Sequence, residues 1–110
     1  MRSNLVAAVS SAMLVLGCAG SQSHLRLLEK DNALSVTTAQ SSLYDFVVSI
    51  RNIKDIGYDP DDKPTRDRTA LQALNSQCPG ARIVGETVIN TGTYALGNPS
   101  RTYAIQVKCA

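Results

Sequence analysis

A short apolar segment near the start of the chain constrains the class of protein more than any other sequence feature does. Residues 5–16 read Leu-Val-Ala-Ala-Val-Ser-Ser-Ala-Met-Leu-Val-Leu and follow a start that carries a positive charge at Arg2. A membrane-spanning helix needs about 20 apolar residues, so this segment is too short to cross a bilayer. A charged start followed by a short apolar segment is typical of a secretory signal peptide. The sequence therefore predicts an exported protein.

The residues that close this segment indicate the kind of signal. Val15-Leu16-Gly17-Cys18 resembles the lipobox of bacterial lipoproteins, in which an aliphatic residue, a tolerant position and a small residue precede a cysteine. The resemblance implies cleavage before Cys18, a diacylglyceryl group on its thiol and an acyl group such as palmitate on its amino terminus. Two or more acyl chains anchor a protein stably. The alternative is an ordinary signal peptide with an incidental cysteine.

The residues after Cys18 suggest a tether and a destination. Residues 19–23 are small and polar, which predicts a flexible linker. In enteric lipoproteins an aspartate after the lipidated cysteine marks retention in the inner membrane, and this chain has Ala19 there. The resemblance therefore implies an outer-membrane anchor with the domain facing the periplasm. The predicted organisation is a signal peptide over 1–17, a lipidated tether and lead-in over 18–34, and one small domain over 35–110.

Charge composition limits the classes of partner. Without Arg2 the chain has ten Lys and Arg residues and nine Asp and Glu residues. This near-neutral mixture predicts neither nucleic-acid binding nor a polybasic membrane patch. Attachment to the membrane would then depend on the lipid at Cys18.

The cysteine count predicts one disulfide. Lipidation of Cys18 leaves Cys78 and Cys109, and an even remainder in an oxidising compartment favours a bond between them. Two free thiols are the alternative. Closing a loop of this length would stabilise a small domain by roughly 3–4 kcal/mol through the entropy of the unfolded chain.

Hydrophobic periodicity predicts an α+β domain with elements in the order β-α-β-β. The pattern has period 2 in three segments and helical spacing in one, with turn-rich residues between them. The strands are predicted over 43–51, 81–90 and 101–109, and the helix over 65–77. Residues 24–34 fit a helix or a strand, and residues 35–42 fit a loop or a short edge strand. We expect an antiparallel sheet covered by one helix.

Two faces are predicted for the helix, which Thr65 or Asp62 could cap. The residues expected on the inner face are Ala70, Leu71, Leu74 and Cys78, and those expected to face water are Arg66, Arg68, Gln72 and Asn75. If the last two strands form a hairpin centred near residues 94–96, Cys109 lies opposite residues 79–82. Cys78 comes just before these residues, so the expected position of Cys109 and the argument from an oxidising compartment both favour a bond between the two cysteines.

No constellation of residues predicts catalysis, a cofactor or a metal. His24 is the single histidine and lies near the tether, without a nearby nucleophile. Asp59, Asp61 and Asp62 could supply oxygen ligands to calcium, but the loop lacks the later glycine and glutamate of an EF-hand, so a solvated turn is the better interpretation. The expectation is a protein that is not an enzyme.

Tyrosines in loops are the candidate partner contacts. Tyr58 lies in the acidic loop and Tyr94 in the predicted hairpin turn, and tyrosine is favoured at interfaces because it combines apolar area with a polar tip. Local packing of the loops is the alternative, and Tyr103 is expected in the core.

The predicted function is binding to an envelope protein partner, or sensing of envelope state, by a non-catalytic lipoprotein. The alternative is a module that binds cell wall or a small ligand. A cleft near Tyr44, Arg51 and Glu86 would favour this alternative, whereas a flat sheet face would favour the first hypothesis. A hydrolase or other enzyme is a third hypothesis, which the residues support least.

Overall fold

The computed structural model describes residues 23–110. A helix over residues 23–30 (α1) precedes five further elements. These are β1 (Leu34–Thr38), β2 (Phe46–Arg51), α2 (Lys63–Ala73), β3 (Arg82–Thr93) and β4 (Pro99–Lys108). All strand pairs are antiparallel, and the sheet has the order β1-β2-β4-β3. The predicted α+β class and antiparallel sheet are confirmed, and the predicted β-α-β-β order corresponds to β2, α2, β3 and β4.

One face of the sheet carries the core because alternate residues of a strand point to the same side. Val48 and Ile50 of β2 and Ile105 and Val107 of β4 are fully buried on that face. The buried α2 residues Ala70 and Leu74 belong to the same core cluster. As predicted, Tyr103 is also in the core.

Helix α2 begins earlier and ends earlier than predicted. Asp62 is its N-cap: the carboxylate accepts hydrogen bonds from the backbone N–H and the hydroxyl of Thr65, at 3.1 and 2.6 Å. Pro64 lies in the first turn, where a missing N–H costs nothing. The helix ends at Ala73, and turns carry the chain from Leu74 to Cys78.

The packed part of the chain extends into the predicted lead-in. Leu28 of α1 is buried in the core cluster, together with Ala33 and Leu34 at the start of β1. From sequence, the Ser- and Thr-rich segment fitted either a loop or a short edge strand, and in the structure it forms the edge strand β1. Leu34 and Val36 lie opposite Ile50 and Val48 of β2, so β1 extends the core face.

The predicted disulfide between Cys78 and Cys109 is confirmed. The two Cα atoms are 5.1 Å apart, and the residues are separated by 31 positions in sequence. Arg82 pairs with Lys108, so Cys109 lies at the open end of the β3–β4 hairpin. The backbone N–H of Ala110 donates to the carbonyl of Pro79 at 2.9 Å. The bond therefore fixes the end of the helical segment to the last strand.

The tip of the hairpin is a tight turn after β3. The N–H of Tyr94 donates to the carbonyl of Asn98, and the N–H of Gly97 donates to the carbonyl of Tyr94, both at 2.8 Å. Gly97 has φ = 88°, a conformation that glycine adopts without steric cost. Register shifts interrupt the β3–β4 ladder between Ile83 and Gly85 and between Asn90 and Gly92.

Candidate functional site

An open cleft of about 560 Å³ lies at the end of the sheet that contains the hairpin tip. The loop after β2 forms one wall and the β3–β4 turn forms the other. The lining residues are Asn52, Ile53, Lys54, Asp61, Tyr94, Ala95, Leu96, Asn98, Pro99 and Arg101. We call this surface the tip cleft.

Asn52 joins the two walls of the tip cleft. Its side-chain oxygen accepts hydrogen bonds from the hydroxyl of Tyr94 and from the N–H of Arg101, each at 2.8 Å. Its amide nitrogen donates to the carbonyl of Pro99 at 3.0 Å. Asn52 is only 5% exposed, so these hydrogen bonds hold the turn against the loop in an environment where unpaired polar groups are costly.

Asp61 places a carboxylate in the wall of the cleft. It accepts a hydrogen bond from the hydroxyl of Tyr103 at 2.6 Å and lies 3.6 Å from the guanidinium of Arg101. Partial burial favours a higher pKa for Asp61, but hydrogen bonds from Tyr103 and Asn52 and the charges of Arg101 and Lys54 outweigh it and lower the pKa. Asp61 is therefore ionised at neutral pH.

The rim of the tip cleft is apolar. The side chain of Leu96 is 92% exposed at the turn, and that of Ile53 is 36% exposed on the opposite wall. With the ring of Tyr94 they surround a surface that also carries the cations Lys54 and Arg101. Such a mixture of aromatic, aliphatic and arginine side chains suits recognition of another molecule.

An ion pair between α2 and β3 lies next to the tip cleft, since the guanidinium of Arg66 also donates to the carbonyl of Asp61 at 3.0 Å. The guanidinium of Arg66 in α2 donates two hydrogen bonds to the carboxylate of Glu86 in β3, at 2.5 and 2.9 Å. It also lies over the ring of Tyr103, 3.9 Å from the ring centre. The hydrogen bonds and charge of Arg66 lower the pKa of Glu86 despite its partial burial.

The predicted exposure of Arg66 is wrong, because this side chain is 7% exposed. Helical spacing assigned it to the water-facing side of α2. A charge is buried when a partner and hydrogen bonds compensate for its lost hydration. That partner, Glu86, comes from a different element 20 residues later, and helical spacing carries no information about it.

The structure separates the two tyrosines that were predicted as partner contacts. Tyr94 lines the tip cleft, whereas Tyr58 is 7% exposed and belongs to the core cluster. The imidazole of His24 packs edge-on against Tyr58, with ring centres 5.0 Å apart. The ring of Tyr58 is therefore not part of the candidate surface. Cys18, the predicted lipidation site, lies outside the described residues.

The acidic loop residues face different partners. Asp59 accepts from the N–H of Asp61 and lies 3.9 Å from Lys54, while Asp62 caps α2. Within residues 23–110, no group of three or more His, Cys, Asp or Glu residues is placed to hold a metal ion. The arrangement of these acids is that of a structured turn.

Sequence reasoning missed most of the tip cleft. Leu96 had a usable signal, since a large aliphatic residue within a turn has no core to fill. Asn52 had none, because its partners Tyr94 and Arg101 are more than 40 positions away. The cleft is also not the one considered from sequence: Tyr44, Arg51 and Glu86 do not line it.

Comparisons with protein-family models, with curated proteins and with solved structures found no match. Among the residues from 23 onward, no helix is both long and apolar enough to cross a membrane.

Proposed function

We propose that this chain is a non-catalytic, lipid-anchored protein of the cell envelope that binds a protein partner through the tip cleft. The observation that carries the proposal is the apolar rim around the cleft. Leu96 is 92% exposed, and no packing within the described domain accounts for an aliphatic side chain at that place. Burial of such a side chain in a complex would gain free energy from the apolar area removed from water.

The supporting geometry is preorganised. Asn52 and Asp61 hold the walls of the cleft through hydrogen bonds that are formed without a ligand. A preformed surface loses less conformational entropy when it binds than a mobile loop does. The proposed anchor at Cys18 adds to this, because a tether raises the effective concentration of the domain near other proteins of the same membrane.

Photo-cross-linking in intact cells tests the binding proposal. A photoreactive amino acid replaces Leu96 in one variant and Leu43 in a second. Leu43 is 74% exposed and precedes the start of β2, at the end of that strand away from the tip cleft. We expect a reproducible adduct with one envelope protein at position 96 and none at position 43. Equal adducts at both positions, or none at position 96, would contradict a partner site in the tip cleft.

The anchor is tested separately. Metabolic labelling with an alkyne-bearing fatty acid is expected to label the wild-type chain, and Cys18→Ser is expected to remove the label. A Cys18→Ser variant that still carries the label would refute lipidation at this residue. The two experiments are independent, since a cleft that binds a partner does not require the lipid.

A small ligand or a fragment of cell wall is the second candidate for the same cleft. Its volume of about 560 Å³ is within the usual range for small-molecule sites. Sedimentation of the purified protein with isolated murein tests this candidate, with Leu96→Ser and Leu43→Ser as a matched pair. Co-sedimentation that only Leu96→Ser abolishes would favour this candidate over a protein partner.

A further inference from the structure

Strand β3 lies at an edge of the sheet and is its longest strand. Its 12 residues pair with β4 on one side, and no other described strand pairs with it. Alternate residues of such a strand direct their backbone N–H and C=O groups away from the sheet. These groups are matched best by another extended strand, which defines the class of molecule that this edge can accept.

Residues 85–90 lack two of the usual protections of an exposed edge, proline and lysine. This segment lies between the two register shifts. Its one charge is Glu86, which is already paired with Arg66 of the same chain. The opposite edge differs, because β1 has only five residues and a short edge strand is itself protective.

Apolar side chains accompany this free edge. Val88 is 49% exposed and Ile89 is 46% exposed, one on each face of the sheet. Val88 lies on the core face, opposite Tyr103, yet remains half-exposed. A strand added here would cover aliphatic surface on both sides as well as the backbone.

We propose that the occupant of this edge is a second copy of the same chain, paired antiparallel through residues 86–90 with Val88 on the two-fold axis. In this register Val88 meets the second copy's Val88, and Thr87 meets the second copy's Ile89. Glu86 then faces the second copy's Asn90, so no like charges are opposed. β-branched pairs of this kind stabilise antiparallel strands.

This register also continues the sheet without inverting it. Directly opposite residues in an antiparallel pair share a face. In this register even-numbered residues lie opposite even-numbered residues, so the core face of one copy continues into the core face of the other. The product is an eight-stranded antiparallel sheet. None of residues 86–90 lines the tip cleft.

Cysteine cross-linking of the full chain in cells tests the register. Val88→Cys is expected to yield a disulfide-linked dimer on a non-reducing gel. Leu43→Cys, at an exposed position before the start of β2, is expected to remain monomeric. Equal dimer from both variants, or a bond from position 88 to a foreign protein in place of a dimer, would overturn the proposal.

A charge at the axis provides a second measurement on the purified full-length protein in detergent. Val88→Lys places two ammonium groups directly opposite each other and is expected to weaken dimerisation at least about tenfold by light scattering across a dilution series. Val84→Lys is the matched control, because position 84 is similarly exposed but lies outside the paired residues 86–90. Dimerisation that is unchanged in Val88→Lys, or a wild-type chain that stays monomeric throughout, would refute self-pairing. Failure of this proposal would leave partner binding at the tip cleft unaffected.

Discussion

Asn52 is the residue on which the tip cleft depends. Asn52→Ala removes the acceptor for Tyr94 and Arg101 and the donor to Pro99 at a site that is 5% exposed. We expect the free energy of unfolding to fall by about 2–3 kcal/mol, because buried partners lose their hydrogen bonds. Urea unfolding measures this change.

The control for that substitution is Asn75→Ala. Asn75 is exposed after the end of α2, where a surface change is expected to alter stability by no more than about 0.5 kcal/mol. Similar losses for the two variants would show that the network around Asn52 has no special energetic role.

Acid is expected to weaken the fold through Glu86. Hydrogen bonds and charge from Arg66 place its pKa in the folded state below the ordinary value of about 4.3 in an unfolded chain. The ionised carboxylate therefore stabilises the fold above that value, and this contribution is lost as the pH falls through the folded-state pKa. Urea unfolding between neutral pH and about pH 2 should show stability falling on acidification.

Glu86→Gln tests which group is responsible. The variant is expected to be less stable at neutral pH and to lose less further stability in acid, because position 86 no longer titrates. Wild-type and variant curves that run parallel over the acid range would exclude Glu86 as a contributor.

At the residue scale, the sequence predicted Tyr103 in the core, because the alternation of its strand is a local pattern. It named Tyr58 and Tyr94 together as binding candidates because both lie in loops, yet Tyr58 is buried and only Tyr94 lines the tip cleft. It did not predict the positions of Arg66 and Asn52, because the environment of each is set by residues on other elements. Contacts between residues so far apart in sequence are set by the topology of the fold.

The start of α2 is the clearest case at the scale of an element. Asp62→Ala removes the acceptor for the N–H and hydroxyl of Thr65, whereas Asp62→Asn keeps a side-chain oxygen in that place. We expect Asp62→Ala to lower the urea midpoint by roughly half a molar, and Asp62→Asn to change it much less. An unchanged midpoint in Asp62→Ala would mean that the cap does not stabilise the helix.

Some helices and strands could be predicted from the sequence and others could not. The alternation in β2 and the hairpin of β3 and β4 were predictable, because apolar spacing and turn residues are encoded locally. β1 and α1 stayed open, since Ser- and Thr-rich or mixed segments adopt the structure that their neighbours impose. β1 becomes a strand because Leu34 and Val36 pair with Ile50 and Val48 on the core face.

The disulfide is the main covalent restraint on the folded domain. Reduction of Cys78–Cys109 is expected to lower the free energy of unfolding by roughly 3–4 kcal/mol, because the unfolded chain regains the entropy of an open loop. Urea unfolding with and without reductant measures the loss. The Cys78→Ala/Cys109→Ala variant is the control and should not respond to reductant; an identical midpoint for the oxidised and reduced wild type would contradict the expectation.

At the scale of the molecule, the sequence predicted the class and the covalent link but not the strand order. Cysteine count, the expectation of an oxidising compartment and hairpin position together predicted the Cys78–Cys109 bond. Which strand lies in the centre depends on non-local pairing, such as Phe46 with Val107, and no local pattern specifies it.

The central position of β4 has a consequence for the order of events in folding. β4 pairs with β2 on one side and β3 on the other, yet it follows every other described strand in the chain. A chain that emerges N-terminus first, from a ribosome or through a translocation channel, cannot complete its sheet until residues 99–108 have emerged. Sheets that depend on distant pairings also form slowly. The late position of its central strand therefore keeps the sheet incomplete until nearly the whole described domain has emerged.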